Sequence, residues 1–151
     1  MKIISFILVL IPWFLSSLIN IDYSYYNSLN LPFFTPPPIF FAIAWTITYI
    51  GISISIAKIL NENKIKEIPK SYKITLLINY LFNQSFQVFF FLLKNPFLGF
   101  ISSLGTFISS LFLYQETYFL NEKSTKFLNP YILLSLFATI LSLTIYVLNT
   151  Q

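Results

Sequence analysis

The sequence contains no cysteine, no histidine and no arginine, and only 9% of its 151 residues are charged. Without cysteine there are no disulfides, zinc thiolates or thiol nucleophiles, and without histidine the usual general base and metal ligand is missing. We therefore expect no metal site and no cofactor. A typical soluble domain carries about 25% charged residues, so this composition excludes an ordinary soluble enzyme and a disordered chain.

Apolar residues dominate instead: 56% of the chain is hydrophobic, 20% is aromatic and the mean hydropathy is +0.75. An integral membrane protein fits this balance, because 151 residues hold about five spans of roughly 20 residues each. The sequence predicts an all-α membrane protein, a single domain over 1–151 with a bundle of five transmembrane helices. The five apolar stretches are 3–21, 39–60, 74–93, 97–120 and 130–149.

The lysines are distributed unevenly between the two sides of such a bundle. With five spans, the amino terminus and the ends of the spans next to the second and fourth connections lie on one side. Eight of the nine lysines fall there, and only Lys94 falls on the other side. Positive residues stay cytoplasmic, so we expect the N-terminus inside and the C-terminus outside, in a bacterial plasma membrane or, alternatively, a mitochondrial outer membrane. Lys2 before an apolar run also suits a signal peptide, but no small-x-small cleavage site follows before Asp22. The expected surroundings are a lipid bilayer, and nucleic acid is not an expected partner.

The connection between the first two spans, residues 22–38, combines aromatic residues with stiffness. From Tyr23 to Pro38 it has no charge and four prolines. Proline fixes φ and removes a hydrogen-bond donor, so the segment suits a lid over a cavity mouth between helices. The alternative is an interfacial aromatic belt followed by a proline helix start.

One face of the second span carries aromatic side chains at helical spacing, namely Phe41, Trp45 and Tyr49. Trp45 lies two turns inside the span, where its indole offers a flat stacking face and one N–H donor. The alternative for these residues is ordinary core packing. They are therefore candidates for ligand contact.

The third span carries an amide stripe, because Asn79, Asn83 and Gln87 recur every four residues. Amides in hydrocarbon are costly unless bonded, so the stripe faces protein or a cavity. It either orients a ligand or holds helices together. Small polar residues at the same spacing in the fourth span favour close helix packing; they are Ser102, Thr106 and Ser110.

Three segments carry motifs in matching register. Around the first loop stand Tyr25-Tyr26, Leu29, Pro32, Phe34 and Pro36-Pro37, followed by Trp45-Thr46 and Tyr49. The third span has Asn79-Tyr80-Leu81-Phe82-Asn83, Phe86-Gln87 and Phe90-Phe91. The fifth has Pro130-Tyr131, Leu134, Phe137-Ala138, Leu141-Ser142, Tyr146 and Leu148-Asn149. Over nearly its whole length the sequence resembles the TspO/MBR family of translocator proteins, also called tryptophan-rich sensory proteins.

The resemblance implies a homodimer of five-helix bundles, each with a pocket closed by the first loop. Ligands of the family include porphyrins such as protoporphyrin IX. The resemblance therefore implies a receptor or a transport protein (a carrier) that binds a flat hydrophobic ligand. By resemblance, the pocket is lined by Trp45, Asn83, Phe86 and Ala138, and its lid or entrance holds Tyr26, Pro36 and Pro37.

The chain departs from the family where several tryptophans are replaced. The fifth-helix Trp of the family is Leu134 here; in bacterial relatives that Trp and the one matching Trp45 are implicated in light-dependent breakdown of protoporphyrin. The loss of this second indole argues against that activity, and a light-dependent porphyrin-degrading enzyme with Trp45 as its catalytic residue is kept as an alternative function. A regulatory membrane protein without a small ligand is a further alternative. Leu31 replaces the family's loop lysine, which removes a partner for a porphyrin propionate.

Overall fold

The computed structural model describes residues 3–150, and within them every regular element is helical. Seven α-helices follow one another: α1 (Ile3–Trp13), α2 (Tyr23–Ser28), α3 (Pro38–Glu62), α4 (Lys70–Phe86), α5 (Pro96–Leu120), α6 (Glu122–Thr125) and α7 (Asn129–Leu148). A 3-10 turn, Leu15–Leu18, follows α1, and a π-helical segment, Gln87–Leu92, continues α4. The all-α class predicted from the sequence is confirmed. Lys2, which the orientation argument used, lies outside the described residues.

Four of these helices are long and apolar enough to cross a membrane, namely α3, α4 with its π-helical continuation, α5 and α7. They begin and end within a few residues of the predicted spans 39–60, 74–93, 97–120 and 130–149. Proline marks three of the starts, because its fixed φ suits the first turn and its missing N–H is not needed there. These prolines are Pro38, Pro96 and Pro130.

The first apolar stretch differs from its prediction. A single helix over 3–21 is wrong, because α1 ends at Trp13 and covers only about 16 Å of a hydrocarbon core about 30 Å thick. Pro12 lies inside α1 and cannot donate a helical hydrogen bond. The Tyr80 hydroxyl donates to the Pro12 carbonyl at 3.1 Å, and the Gln84 amide donates to the Trp13 carbonyl at 3.3 Å. Side chains of α4 therefore satisfy the carbonyls at the broken end of α1.

The helix α5 packs against both α4 and α7 through small residues. The hydroxyls of Ser103 and Ser142 lie 2.5 Å apart across the α5–α7 contact. A Cβ added to Gly105 would lie 2.4 Å from the Phe82 ring, so the α4–α5 contact depends on glycine there. The predicted packing role of the small residues in α5 is confirmed, since Ser102, Thr106 and Ser110 are all buried.

The interior contains two apolar clusters, one toward each end of the bundle. The lysine-end core lies near the connections that carry most lysines and consists of Trp13, Ile52, Ile56, Ile59, Ile68, Tyr72, Leu113, Leu128 and Tyr131. The lid-end core has only three buried members, Phe90, Leu141 and Ile145. Half-buried rings from the lid and from α3, α4 and α7 pack around it, among them Tyr25, Tyr26, Phe34, Phe41, Phe86 and Phe137.

Candidate functional site

A cavity of about 870 Å³ lies at the lid end of the bundle. Its walls come from α3, α4 with the π-helical segment, α5 and α7, and residues between Phe14 and Tyr26 contribute the remaining side. The lining is mostly aromatic and aliphatic, with scattered hydroxyls and amides. None of the lining residues is charged.

The cavity brings together eight of the side chains predicted as ligand contacts: Tyr26, Phe41, Trp45, Tyr49, Asn83, Phe86, Gln87 and Ala138. Three others lie apart, because Asn79, Pro36 and Pro37 do not line it. The side chain of Asn79 is fully buried between α4, α5 and α7. Its amide donates to the Thr106 carbonyl at 3.0 Å and to Ser109 Oγ at 2.9 Å, and it accepts from the Tyr131 hydroxyl at 2.9 Å. Asn79 therefore holds helices together, which was the alternative for the amide stripe.

Asn83, one helical turn further along α4, is bonded on one side and faces the cavity on the other. Its Oδ1 accepts from the Tyr49 hydroxyl at 2.9 Å and from Gln84 Nε2 at 3.0 Å. The Gln84 Oε1 in turn accepts from the backbone N–H of Ser16 at 2.8 Å. This network ties α3, α4 and the 3-10 turn into one rigid wall.

Two indoles flank Tyr49 at the boundary between the cavity and the lysine-end core. The ring centroid of Trp45 lies 5.6 Å from that of Tyr49, and the centroid of Trp13 lies 5.7 Å from it. Trp13 is only 2% exposed and also contacts the Tyr80 and Tyr131 rings edge-on. Sequence reasoning missed Trp13, although a tryptophan in the middle of an apolar stretch was the available signal.

On the lid side the wall is a group of phenylalanines. Phe86 stacks on Phe90 with centroids 5.2 Å apart and planes 10° apart, and Phe91 meets Phe90 edge-on at 4.9 Å. Phe90 and Phe91 line the cavity although only Phe86 was predicted to do so. Leu134, where the family motif has tryptophan, does not line it.

The first loop, residues 22–38, is held at two points by polar contacts to distant parts of the chain. It begins with the short helix α2, which was not predicted from the sequence. Asp22 caps this helix by accepting from the Tyr25 N–H at 3.0 Å, and it pairs with Lys94 at 2.8 Å. The hydrogen bond from Lys94 holds the pKa of the Asp22 carboxyl well below its usual range. Near the middle of the loop Asn30 and Asn149 exchange two hydrogen bonds, at 2.9 and 3.1 Å.

The cavity wall offers aromatic rings and amide groups, which can stack on a ligand and hydrogen-bond to it. Within residues 3–150 no group of three or more acidic, histidine or cysteine side chains could hold a metal ion.

Residues 3–148 match the TspO/MBR family. The chain belongs to that family. Its membership agrees with the four apolar helices and makes the chain an integral membrane protein.

Similar proteins come from bacteria and an archaeon. The tryptophan-rich protein TspO of Bacillus cereus is 39% identical over 134 residues, which cover 89% of this chain and 86% of the relative. The uncharacterized membrane protein YtaB of Bacillus subtilis is 36% identical, and the match covers 87% of this chain and 84% of the relative. The tryptophan-rich protein TspO of Archaeoglobus fulgidus is 32% identical, and the match covers 83% of this chain and 80% of the relative. Only two tryptophans, Trp13 and Trp45, remain in this member of the family.

Proposed function

We propose that this protein is a membrane receptor or carrier that binds a flat hydrophobic ligand, a porphyrin such as protoporphyrin IX, beneath its first loop. The observation that supports this most strongly is the cavity of about 870 Å³ under the lid. Sites for small molecules and cofactors have volumes of about 300–1,000 Å³ and mostly apolar walls with a few polar groups. A packed interior without such a space would favour a regulatory protein that has no small ligand.

The arrangement of the walls suits a planar ligand. Trp45 and Phe86 come from α3 and α4, and both line the cavity. The Asn83 Oδ1 is already used by two donors, so the part of this side chain left for a ligand is its NH2 group. Ring stacking would then supply most of the affinity, and the amide would set the orientation.

Titration of the purified protein with protoporphyrin IX, followed by quenching of tryptophan fluorescence, tests the proposal. We expect saturable binding that weakens at least about tenfold in Trp45→Ala and about fivefold in Asn83→Ala. Phe40→Ala is the matched control, because Phe40 lies on the same helix, is 62% exposed and does not line the cavity. Unchanged affinity in both cavity variants would refute the assigned site.

A second candidate, light-dependent porphyrin degradation, is favoured by one observation. Tyr49 lies between the Trp45 and Trp13 rings, so an indole that contacts a ligand is coupled to a second, buried indole. This function predicts loss of the porphyrin Soret band that needs both light and oxygen. The loss should stop in Trp45→Phe, and a bound porphyrin that is stable under illumination would exclude it.

The proposed placement in the membrane has five crossings, with α1 and the 3-10 turn together forming the first. The lysine-end core would then face the cytoplasm and the lid would face outward, which agrees with the positive-inside rule. Cysteines introduced singly at Asn63 and Asn30 test this in the cysteine-free chain. We expect a membrane-impermeant thiol reagent to label intact cells at residue 30 and not at residue 63.

A further inference from the structure

The lysine end of the bundle carries more positive charge than the protein itself pairs. Among residues 3–150 this end has seven lysines and four glutamates, and the only ion pair there joins Lys64 to Glu67 at 3.9 Å. Because the chain is an integral membrane protein, these lysines lie near the level of the lipid headgroups. Anionic lipids attract such basic groups, so the positions of the unpaired lysines are informative.

Lys58 and Lys126 share one aromatic ring. The Lys58 ammonium lies 4.7 Å from the centroid of the Phe127 ring, and the Lys126 ammonium lies 5.3 Å from it. Both distances are within the range of a cation–π interaction. The residue that carries the ring is packed against α3, because a Cβ added to Gly51 would lie 2.6 Å from the Phe127 carbonyl oxygen. Two ammonium groups, one from α3 and one from the connection between α6 and α7, are thus held around the same ring.

Neither of these ammonium groups has an anionic partner within residues 3–150. Glu62, four residues after Lys58 on α3, accepts a hydrogen bond from the Asn121 amide instead. Glu122, four residues before Lys126, is exposed and forms no ion pair in the described part of the chain. Lys58 is half-buried, and a ring face offsets only part of the cost of desolvating its charge. The protein itself therefore does not neutralise the two lysines.

The surface of α3 that leads to these lysines is apolar. Ile43, Ile47 and Ile50 recur at helical spacing and are 39–57% exposed. Ile54, which is half-buried, continues the same face, and Lys58 follows one turn later, four residues before the end of α3. An acyl chain that lay along these isoleucines would bring its headgroup to the level of the two ammonium groups. This combination suits a phospholipid better than a soluble phosphate, which would use only the charged end.

We infer that Lys58, Lys126 and the Phe127 ring form a binding site for the phosphate of an anionic phospholipid, whose acyl chain follows the isoleucines of α3. Lysine binds phosphate as a point charge, and basic pockets between membrane helices bind anionic headgroups. The site lies at the end of the bundle opposite the cavity, so it is independent of the proposed function.

Native mass spectrometry of the full chain in a neutral detergent tests this site. The protein is mixed with equal amounts of phosphatidylglycerol and phosphatidylcholine that have the same acyl chains, and the first bound lipid is identified. We expect about a tenfold preference for phosphatidylglycerol, since the phosphate of phosphatidylcholine is neutralised by its own ammonium. Lys58→Met and Lys126→Met should each reduce the preference to about threefold, and the double variant to about onefold. Lys58→Arg keeps the charge and should retain the preference.

Lys66→Met is the matched control, because it removes the same charge from an exposed position at the same end of the bundle. It should leave the preference unchanged. An equal loss in Lys66→Met would show that the summed charge of this end attracts the lipid, and it would overturn the site. Equal binding of the two lipids by the unmodified protein would overturn it as well, whether or not the variants fold.

Glycerophosphoglycerol, which is the same headgroup without acyl chains, distinguishes the lipid from a soluble phosphate. We expect it not to displace bound phosphatidylglycerol at concentrations up to about 1 mM, because it makes no contact with the isoleucines of α3. Displacement at micromolar concentrations would assign the two lysines to a soluble phosphoester and would refute the lipid site.

Discussion

The two ends of the bundle interior are built from similar residues but packed differently. The lysine-end core joins nine buried side chains from several helices. The lid-end core has three, and the space beside it is the cavity of about 870 Å³. Because an unfilled space forfeits dispersion contacts, the lid end contributes less to stability than its aromatic content suggests. We infer that the lysine end holds the fold together and that the lid end is kept open for binding.

The two tryptophans provide the strongest test of this comparison. Trp13 is 2% exposed in the lysine-end core, whereas Trp45 is half-buried and lines the cavity. We expect Trp13→Ala to lower the free energy of unfolding by about 3–5 kcal/mol, because truncation leaves a void among packed rings. Trp45→Ala should lower it by less than about 2 kcal/mol and should weaken porphyrin binding more strongly.

Chemical denaturation in detergent, read by far-UV circular dichroism, measures both losses. Trp13→Phe serves as the conservative control and should recover much of the stability, since a ring remains between Tyr49 and Tyr80. Equal destabilisation by Trp13→Ala and Trp45→Ala would show that the two ends are equally packed, and the comparison would then be wrong.

The two asparagines of the amide stripe make a sharper and smaller test, because they are one helical turn apart. Asn79→Ala leaves the buried Tyr131 hydroxyl without its acceptor, so the free energy of unfolding should fall by about 1–2 kcal/mol. Asn83→Ala should affect porphyrin affinity more than stability. Tyr131→Phe combined with Asn79→Ala is the control, and the double variant should cost less than the sum of the single variants. Additive costs would argue against a direct bond.

The amide stripe also indicates which features of the site could be predicted from the sequence. Asn79 and Asn83 are buried in α4, as their period predicted, whereas Gln87 begins the π-helical segment and is only half-buried. Which of them would be satisfied could not be predicted, because the partners come from distant helices: Tyr131 bonds Asn79, and Tyr49 bonds Asn83.

Some helix ends could likewise be predicted from the sequence, and others could not. Pro38, Pro96 and Pro130 act locally, so the starts of α3, α5 and α7 were predictable. The end of α1 at Trp13 was not, since it is stabilised by Tyr80 and Gln84 from α4. Local signals were therefore sufficient for the starts of three helices, whereas the end of α1 also depends on tertiary hydrogen bonds.

The smallest expected effect concerns the first loop. If this loop acts as a lid, its opening controls how fast a ligand leaves the cavity. The Asp22–Lys94 pair is half-exposed, so it should slow lid opening only modestly and less so at high salt. We expect Asp22→Asn and Lys94→Met each to speed porphyrin release about threefold, and the double variant to be no faster than either. Glu67→Gln, at the exposed Lys64–Glu67 pair outside the lid, is the matched control and should change nothing.

The same pair predicts how release depends on pH. Lys94 holds the pKa of Asp22 well below its usual value of about 3.9. A carboxyl whose pKa is lower in the closed state stabilises that state above its ordinary pKa and loses this contribution as the pH falls further. Stopped-flow release rates should therefore be constant from about pH 8 to pH 5 and rise only below about pH 4. In Asp22→Asn the rise should disappear; a rise that persists would assign the gate to another group.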